Sequence, residues 1–139
     1  NLGRIDGVLL HNPDLSKPDA IITACGWLKN QGTKFVGIST EPDRNAVKIA
    51  LEAGLDCLQF PYSAWDRRAE DDIFPHAGKG LKLIINRILG GPEKSKAAKS
   101  IKDAAAFISE RRDKIGVAIV GTKSIEHLKE VVDMLRTQG

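Results

Sequence analysis

His11 closes a short apolar run, Ile5 to Leu10, and opens the polar turn Asn12-Pro13-Asp14. In parallel α/β proteins the carboxyl ends of strands face the ligand crevice. A neutral imidazole at such a place can donate a hydrogen bond to an oxygen that gains charge. The competing reading is a satisfied, buried histidine at a strand end. Gln59 lies in another apolar run, Cys57 to Phe60, and its amide must find partners, in a structural bond or in a site. Ser39 and Thr40 follow the run Lys34 to Ile38, where the residues alone read as helix-capping hydroxyls. Asp71, Asp72 and His76 suggest a metal only superficially, because His11, His76 and His127 lack compact ligand spacing. No metal is expected. Lys94, Lys96, Lys99 and Lys102 read as a solvated loop and helix face, with phosphate binding as the sharper alternative. Arg67 and Arg68 are expected to cap, or to pair with Glu70, Asp71 and Asp72 on one helix.

The elements that position these residues are five short, mostly continuous apolar runs: Ile5 to Leu10, Lys34 to Ile38, Cys57 to Phe60, Leu81 to Asn86 and Gly116 to Val120. Continuous rather than alternating runs predict strands covered on both faces. Helical segments separate them, an order that predicts a parallel sheet of βα units. Ser16-Lys-Pro-Asp19 and Thr40-Glu-Pro-Asp43 repeat one helix-start phrase, hydroxyl cap, early proline and acid three residues on. Gly32 and Gly54 are the expected C-caps. The first helix is predicted over about 17–31, burying Ile21, Ile22, Cys25 and Leu28. The second buries Ala46, Val47, Ala50 and Ala53. The last, over about 124–136, carries Ile125, Leu128, Val131, Val132 and Leu135 on one face. Segments 66–77 and 100–111 are also expected to be helical.

Length sets the architecture. With 139 residues, a single domain spanning 1–139 is expected. A nucleotide domain of the doubly wound type usually has a glycine-rich turn after its first strand, and His11-Asn-Pro-Asp is not one. A (β/α)₈ barrel needs roughly 250 residues, so the chain could supply five βα units of one. A formal charge of +3 and few aromatics argue against nucleic acid as a partner. No apolar segment reaches membrane-spanning length. Two separated cysteines read as free thiols in a reducing compartment, and the expected location is the cytoplasm.

Four phrases together resemble a family. Leu9-Leu-His11-Asn-Pro-Asp14, Val36-Gly-Ile-Ser39-Thr40, Leu58-Gln59-Phe-Pro-Tyr62-Ser63 and Ala118-Ile-Val-Gly-Thr122-Lys-Ser-Ile-Glu-His-Leu stand in the order seen in aldo/keto reductases. Tyr62-Ser-Ala-Trp-Asp66-Arg67-Arg68-Ala-Glu70 resembles the segment after that family's sixth strand. The resemblance implies a partial (β/α)₈ TIM barrel, strands 4 to 8, and hydride transfer between a nicotinamide cofactor, NADP or NAD, and a small-molecule carbonyl or alcohol.

By the same resemblance His11 orients and polarises the substrate carbonyl. Ser39, Thr40 and Gln59 hold the nicotinamide carboxamide, with Thr40 where asparagine is usual. Asn86 stands near the ring-packing position, where an aromatic or arginine is usual. Gly121, Thr122 and His127 fall where the family binds phosphate, with Lys123 near, and Val131 falls where an asparagine often meets adenine. Backbone N–H groups after Thr122 could still bind an anion. The family's tyrosine acid and its lysine and aspartate partners have no counterpart on this chain, and Tyr62, the only tyrosine, lies in the wrong segment. The isolated chain is therefore expected to be inert unless a complementing N-terminal half-barrel joins it. The alternative expectation is a non-catalytic half-barrel, a binding or assembly module prone to self-association.

Overall fold

The computed structural model describes residues 5–78, 80–90 and 101–137. Five strands form one parallel sheet: β1 (Gly7–His11), β2 (Phe35–Ser39), β3 (Cys57–Pro61), β4 (Lys82–Asn86) and β5 (Val117–Ala118), in spatial order 1-2-3-4-5. Between them run α1 (Pro18–Asn30), α2 (Arg44–Glu52), the short α3 (Ala69–Asp72) with a 3₁₀ turn over Phe74–His76, and α4 (Ile101–Ser109), and α5 (Ile125–Thr137) follows β5. Consecutive parallel strands joined by helices are the βα units that the apolar runs predict, and they make the partial (β/α)₈ barrel that the resemblance implies.

Strand alternation sorts the side chains onto two faces. Val36, Ile38, Leu58, Phe60, Leu83 and Ile85 point to the helices and are at most 2% exposed. Each such burial is worth roughly 1.5–3 kcal/mol, which makes this layer the core. The opposite, inner face is not covered among the described residues. Leu9, Phe35, Cys57, Lys82, Ile84 and Val117 line a concavity of about 370 Å³ there, and Phe35 and Val117 remain about half exposed. The expectation of burial on both faces fails because five strands do not close into a barrel. The apolar inner side chains that made the runs continuous belong to a lumen.

Register on the inner face depends on one glycine. A Cβ on Gly37 would lie 2.3 Å from the Cys57 carbonyl oxygen, 2.6 Å from its sulfur and 2.8 Å from Leu9 Cδ2, so β2 and β3 approach here only because no side chain intervenes. At the amino end of β2, Asp56 accepts the Val36 N–H at 2.9 Å.

Several helix boundaries differ from expectation for local reasons. Asp14, not Asp19, captures Ser16, accepting from both its N–H and its hydroxyl. Helix α1 therefore starts at Pro18 with no side-chain cap. Helix α2 is capped by Asp43, which accepts the Asn45 N–H at 2.6 Å, and Pro42 lies before the helix. Segment 66–77 is helical as expected but not as one helix: α3 and the 3₁₀ piece are separated by Ile73. Among the described side chains of α5, Val131 is buried, Ile125 and Leu128 stay exposed, and Val132 lies at the margin; the burial of Leu135 lies outside the description. Gly32 and Gly54 do end their helices with positive φ. Lys94, Lys96 and Lys99 lie outside the described residues.

Candidate functional site

The carboxyl ends of β1, β2 and β3 bring three predicted residues into one row, since His11 registers with Ser39 and Ser39 with Gln59. All three fall on the inner face. His11 is exposed, at the end of an inner face that no described residue covers. Its Nε2 lies 3.3 Å from Asn12 Nδ2. Asn12 adopts φ 46° and donates its backbone N–H to the Ser39 carbonyl at 2.7 Å. The turn after β1 is thereby tied to the end of β2.

Gln59 finds its partner in the same row. Its Nε2 donates to Ser39 Oγ at 3.0 Å, and Ser39 is only 5% exposed. The bond occupies the serine oxygen as acceptor, leaving the hydroxyl hydrogen free to donate and Gln59 Oε1 free to accept. Thr40 does not cap α2. Its N–H donates to the Gln59 carbonyl at 2.9 Å, extending the ladder one residue beyond β2.

Asn86 closes β4 on the inner face, opposite Pro61. Arg87, next in the chain, has φ 53°. Positive φ is uncommon for a residue with a side chain and is enriched at functional turns. Among the described residues the two instances, Asn12 and Arg87, both directly follow an inner-face polar residue at a strand end. At β5 the pattern is looser. Gly121 and His127 are exposed, and Thr122 Oγ1 accepts the Ser124 N–H at 3.1 Å. Ser124, not singled out by the sequence reading, caps α5 by accepting the His127 N–H at 3.2 Å.

Neither a protein-family model nor a curated protein matches the sequence. Solved structures do. A protein of Pseudomonas aeruginosa assigned to the aldo-keto reductases is similar over 97% of this chain and 52% of its own, with TM-score 0.74 and 21% identity. An aldo-keto reductase of Bacillus halodurans in its holo form is similar over 94% of this chain and 55% of its own, with TM-score 0.73 and 19% identity. The glycerol dehydrogenase of Gluconobacter oxydans gives a TM-score of 0.58 at 17% identity, over 96% of this chain and 59% of its own. The chain has the fold of part of an aldo-keto reductase barrel. It spans about half the length of the aldo-keto reductase structures it matches.

Around the polar row, this aldo-keto reductase-like sheet carries an ionic rim. Arg68 NH2 reaches Glu41 Oε2 at 2.7 Å and Asp66 Oδ2 at 2.6 Å, while Arg87 lies 3.4 Å from Glu41 Oε1. These carboxylates hold the Arg68 pKa well above its ordinary value. The rim joins the turns after β2, β3 and β4. Arg68 thus pairs with Asp66 and Glu41, not with Asp71 or Asp72 as expected, because the short α3 leaves it beside those turns; Asp72 binds Arg44 at 2.7 Å. Glu41 and Arg87 were not anticipated, since no local spacing links residues 41, 68 and 87.

Tyr62 stands apart from the site. It is buried and donates to Glu70 Oε1 at 2.6 Å. Burial, then that bond, pushes its pKa far up, so it is fixed as a structural donor. Arg67 holds the Glu70 carboxyl down at about 2, aided by Tyr62 and Arg111. Arg111 in turn lies 3.8 Å over the Phe107 ring. Both cysteines are buried and free, and burial raises both thiols. Among the described residues no helix is long and apolar enough to cross a membrane.

Proposed function

We propose that this chain is the carboxyl-terminal half of a nicotinamide-dependent aldo/keto reductase, acting on a small carbonyl or alcohol in the reducing cytoplasm. The observation that carries the reading is the Gln59–Ser39 bond at 3.0 Å, in register with His11 at three adjacent strand ends. That pair presents one hydroxyl donor and one amide oxygen on a single face, the complement of a primary carboxamide. Thr40 stands at the edge of this pair. Bound there, the cofactor supplies the hydride. The protein fixes the ring by Ser39 and Gln59, and His11 donates to the carbonyl oxygen as it gains charge. Gly121, Thr122 and His127, with the exposed Lys123, are the groups nearest a phosphate; their low fixed charge suits NAD as readily as NADP. His11 alone supplies no proton-donor triad, so residues 1–139 by themselves are expected to be inert.

The test measures dinucleotide binding and loss of reduced-cofactor absorbance with an aldehyde panel, on the intact polypeptide that carries this sequence. Binding with turnover is expected, and His11→Gln should lower kcat by about 10²–10³, the usual effect of losing one oxyanion donor. Absence of dinucleotide binding would sink the reading.

A second reading, an assembly module, draws on the exposed apolar side chains Val117, Ile119, Ile125 and Leu128 on β5, just beyond it and on α5. It requires residues 1–139 to self-associate or to capture complementary βα units. A monomer by light scattering that binds no apolar dye counts against it.

A further inference from the structure

Among the inward side chains of the described strands, one carries a fixed charge: Lys82, which opens β4 at the amino end of the sheet. It lines the apolar concavity beside Leu9, Cys57, Ile84 and Val117, and its Nζ lies 5.6 Å from the centroid of the Phe35 ring. No described carboxylate pairs with it. Asp56 turns its carboxylate to Lys29 at 3.5 Å and to the Val36 N–H at 2.9 Å, and Asp6 turns to Lys34 at 3.3 Å. An ammonium enclosed in an apolar lumen without an anion is strongly disfavoured. Whatever covers this face must therefore bring a carboxylate to Lys82. A second copy of the chain does not, because its own inner face offers only a second Lys82.

Barrel geometry says where that carboxylate stands. Inward side chains of a (β/α)₈ barrel stack in layers of four, drawn from alternate strands. Lys82 registers through Cys57 with Gly37, and Phe35 lies two residues before Gly37. An offset of two residues over two strands is the stagger of an eight-stranded barrel. Phe35 and Lys82 therefore share one layer, as their contact shows. Gly7, Cys57 and Val117 repeat the same offset on the other three strands. With β2 and β4 supplying two members of the Lys82 layer, the other two come from the strands that complete the barrel. We propose that the barrel floor closes on Lys82 through an inward aspartate or glutamate at the amino end of the first or third barrel strand, carried by the same polypeptide. The proposal rests on the reading of this chain as the carboxyl-terminal half of a barrel, in which β2 and β4 are the fifth and seventh strands. Such a pair also fixes how the halves meet, since a slip of one residue turns the acid outward and leaves the ammonium bare.

Denaturant unfolding of the intact polypeptide that carries this sequence tests the pair through the sign of one substitution. With a carboxylate facing Lys82, Lys82→Met leaves that acid buried alone and should raise the unfolding equilibrium constant by about 10²–10³-fold. With none, the same change removes a bare ammonium; a constant that falls or stays the same overturns the proposal. The companion variant adds replacement of the inward acid of the first or third strand by leucine. It should recover most of the loss, and it keeps the test decisive where Lys82→Met alone does not fold. Failure of that double variant to recover, or an upstream sequence with no acid at either position, also overturns the proposal. Dinucleotide binding by the same protein separates the two readings. Binding without a loss at Lys82 removes the ion pair and leaves the reductase reading, whereas a recoverable loss without binding does the reverse. An intact mass that leaves no room for further βα units removes both.

Discussion

Gly37→Ala isolates the contact that lets β2 and β3 meet. The new Cβ would fall 2.3 Å from the Cys57 carbonyl oxygen, 1.1 Å short of the 3.4 Å where ordinary contact begins. That oxygen belongs to backbone, so the strands themselves must part. Opening a strand pair by about 1 Å takes it well outside hydrogen-bond spacing. The overpacking costs about 1–3 kcal/mol, and each weakened ladder bond adds about 0.5–1.5 kcal/mol. Against this, alanine in a strand gains about 0.5–1 kcal/mol over glycine. The net expectation is a loss of about 2–4 kcal/mol, read from urea unfolding as a lower midpoint at unchanged slope. Gly26→Ala is the control, because its Cβ would meet nothing within 4 Å in the middle of α1, and it should stabilise by up to about 1 kcal/mol. The loss at Gly37 should also reach the site, since Ser39 lies two residues further along the displaced strand and its 3.0 Å bond to Gln59 depends on register. Equal, small effects of the two substitutions would refute the reasoning.

Glu70 gives a pH signature. Its folded pKa, about 2, lies below the ordinary 4.5, so its stabilisation is complete above pH 4.5 and fades as pH falls toward 2. Glu70→Gln should cost about 1 kcal/mol at neutral pH, discounted for partial exposure, and the gap to wild type should narrow across that acid window in pH-resolved unfolding. A gap constant with pH would contradict the ion-pair account. The thiols give an accessibility signature: with burial raising both, iodoacetamide at pH 8 should label neither Cys25 nor Cys57 until denaturant approaches the midpoint. Rapid labelling of Cys57 in native protein would show reagent entering β3 from the inner face.

The elements were legible because each strand is a bounded apolar run and each helix start carries a proline or an acid. His11, Ser39 and Gln59 could be placed at strand ends for the same reason. What alternation could not reveal is which apolar residues face helices and which face a lumen, since Val36 and Phe35 look alike in a continuous run. Helix caps were misread where a nearer competitor existed, as Asp14 captured Ser16. The Glu41–Arg68–Arg87 rim and the Arg111–Glu70 pair join residues 27 to 46 apart, and no local spacing announces them.

Strand order that equals chain order has a kinetic consequence. No strand waits for a distant one, so each βα unit can dock on its predecessor and pay only short-range closure entropy. The His11–Ser39–Gln59 row needs β1, β2 and β3 alone. It can therefore acquire its geometry once the first 61 residues have paired, before β4 and β5 join. Pulsed hydrogen exchange during refolding would see this as early protection of the Asn12 and Thr40 amides, whose acceptors both lie within that segment. The recognition surface would then be an early, nucleus-like part of the folding process rather than its last refinement.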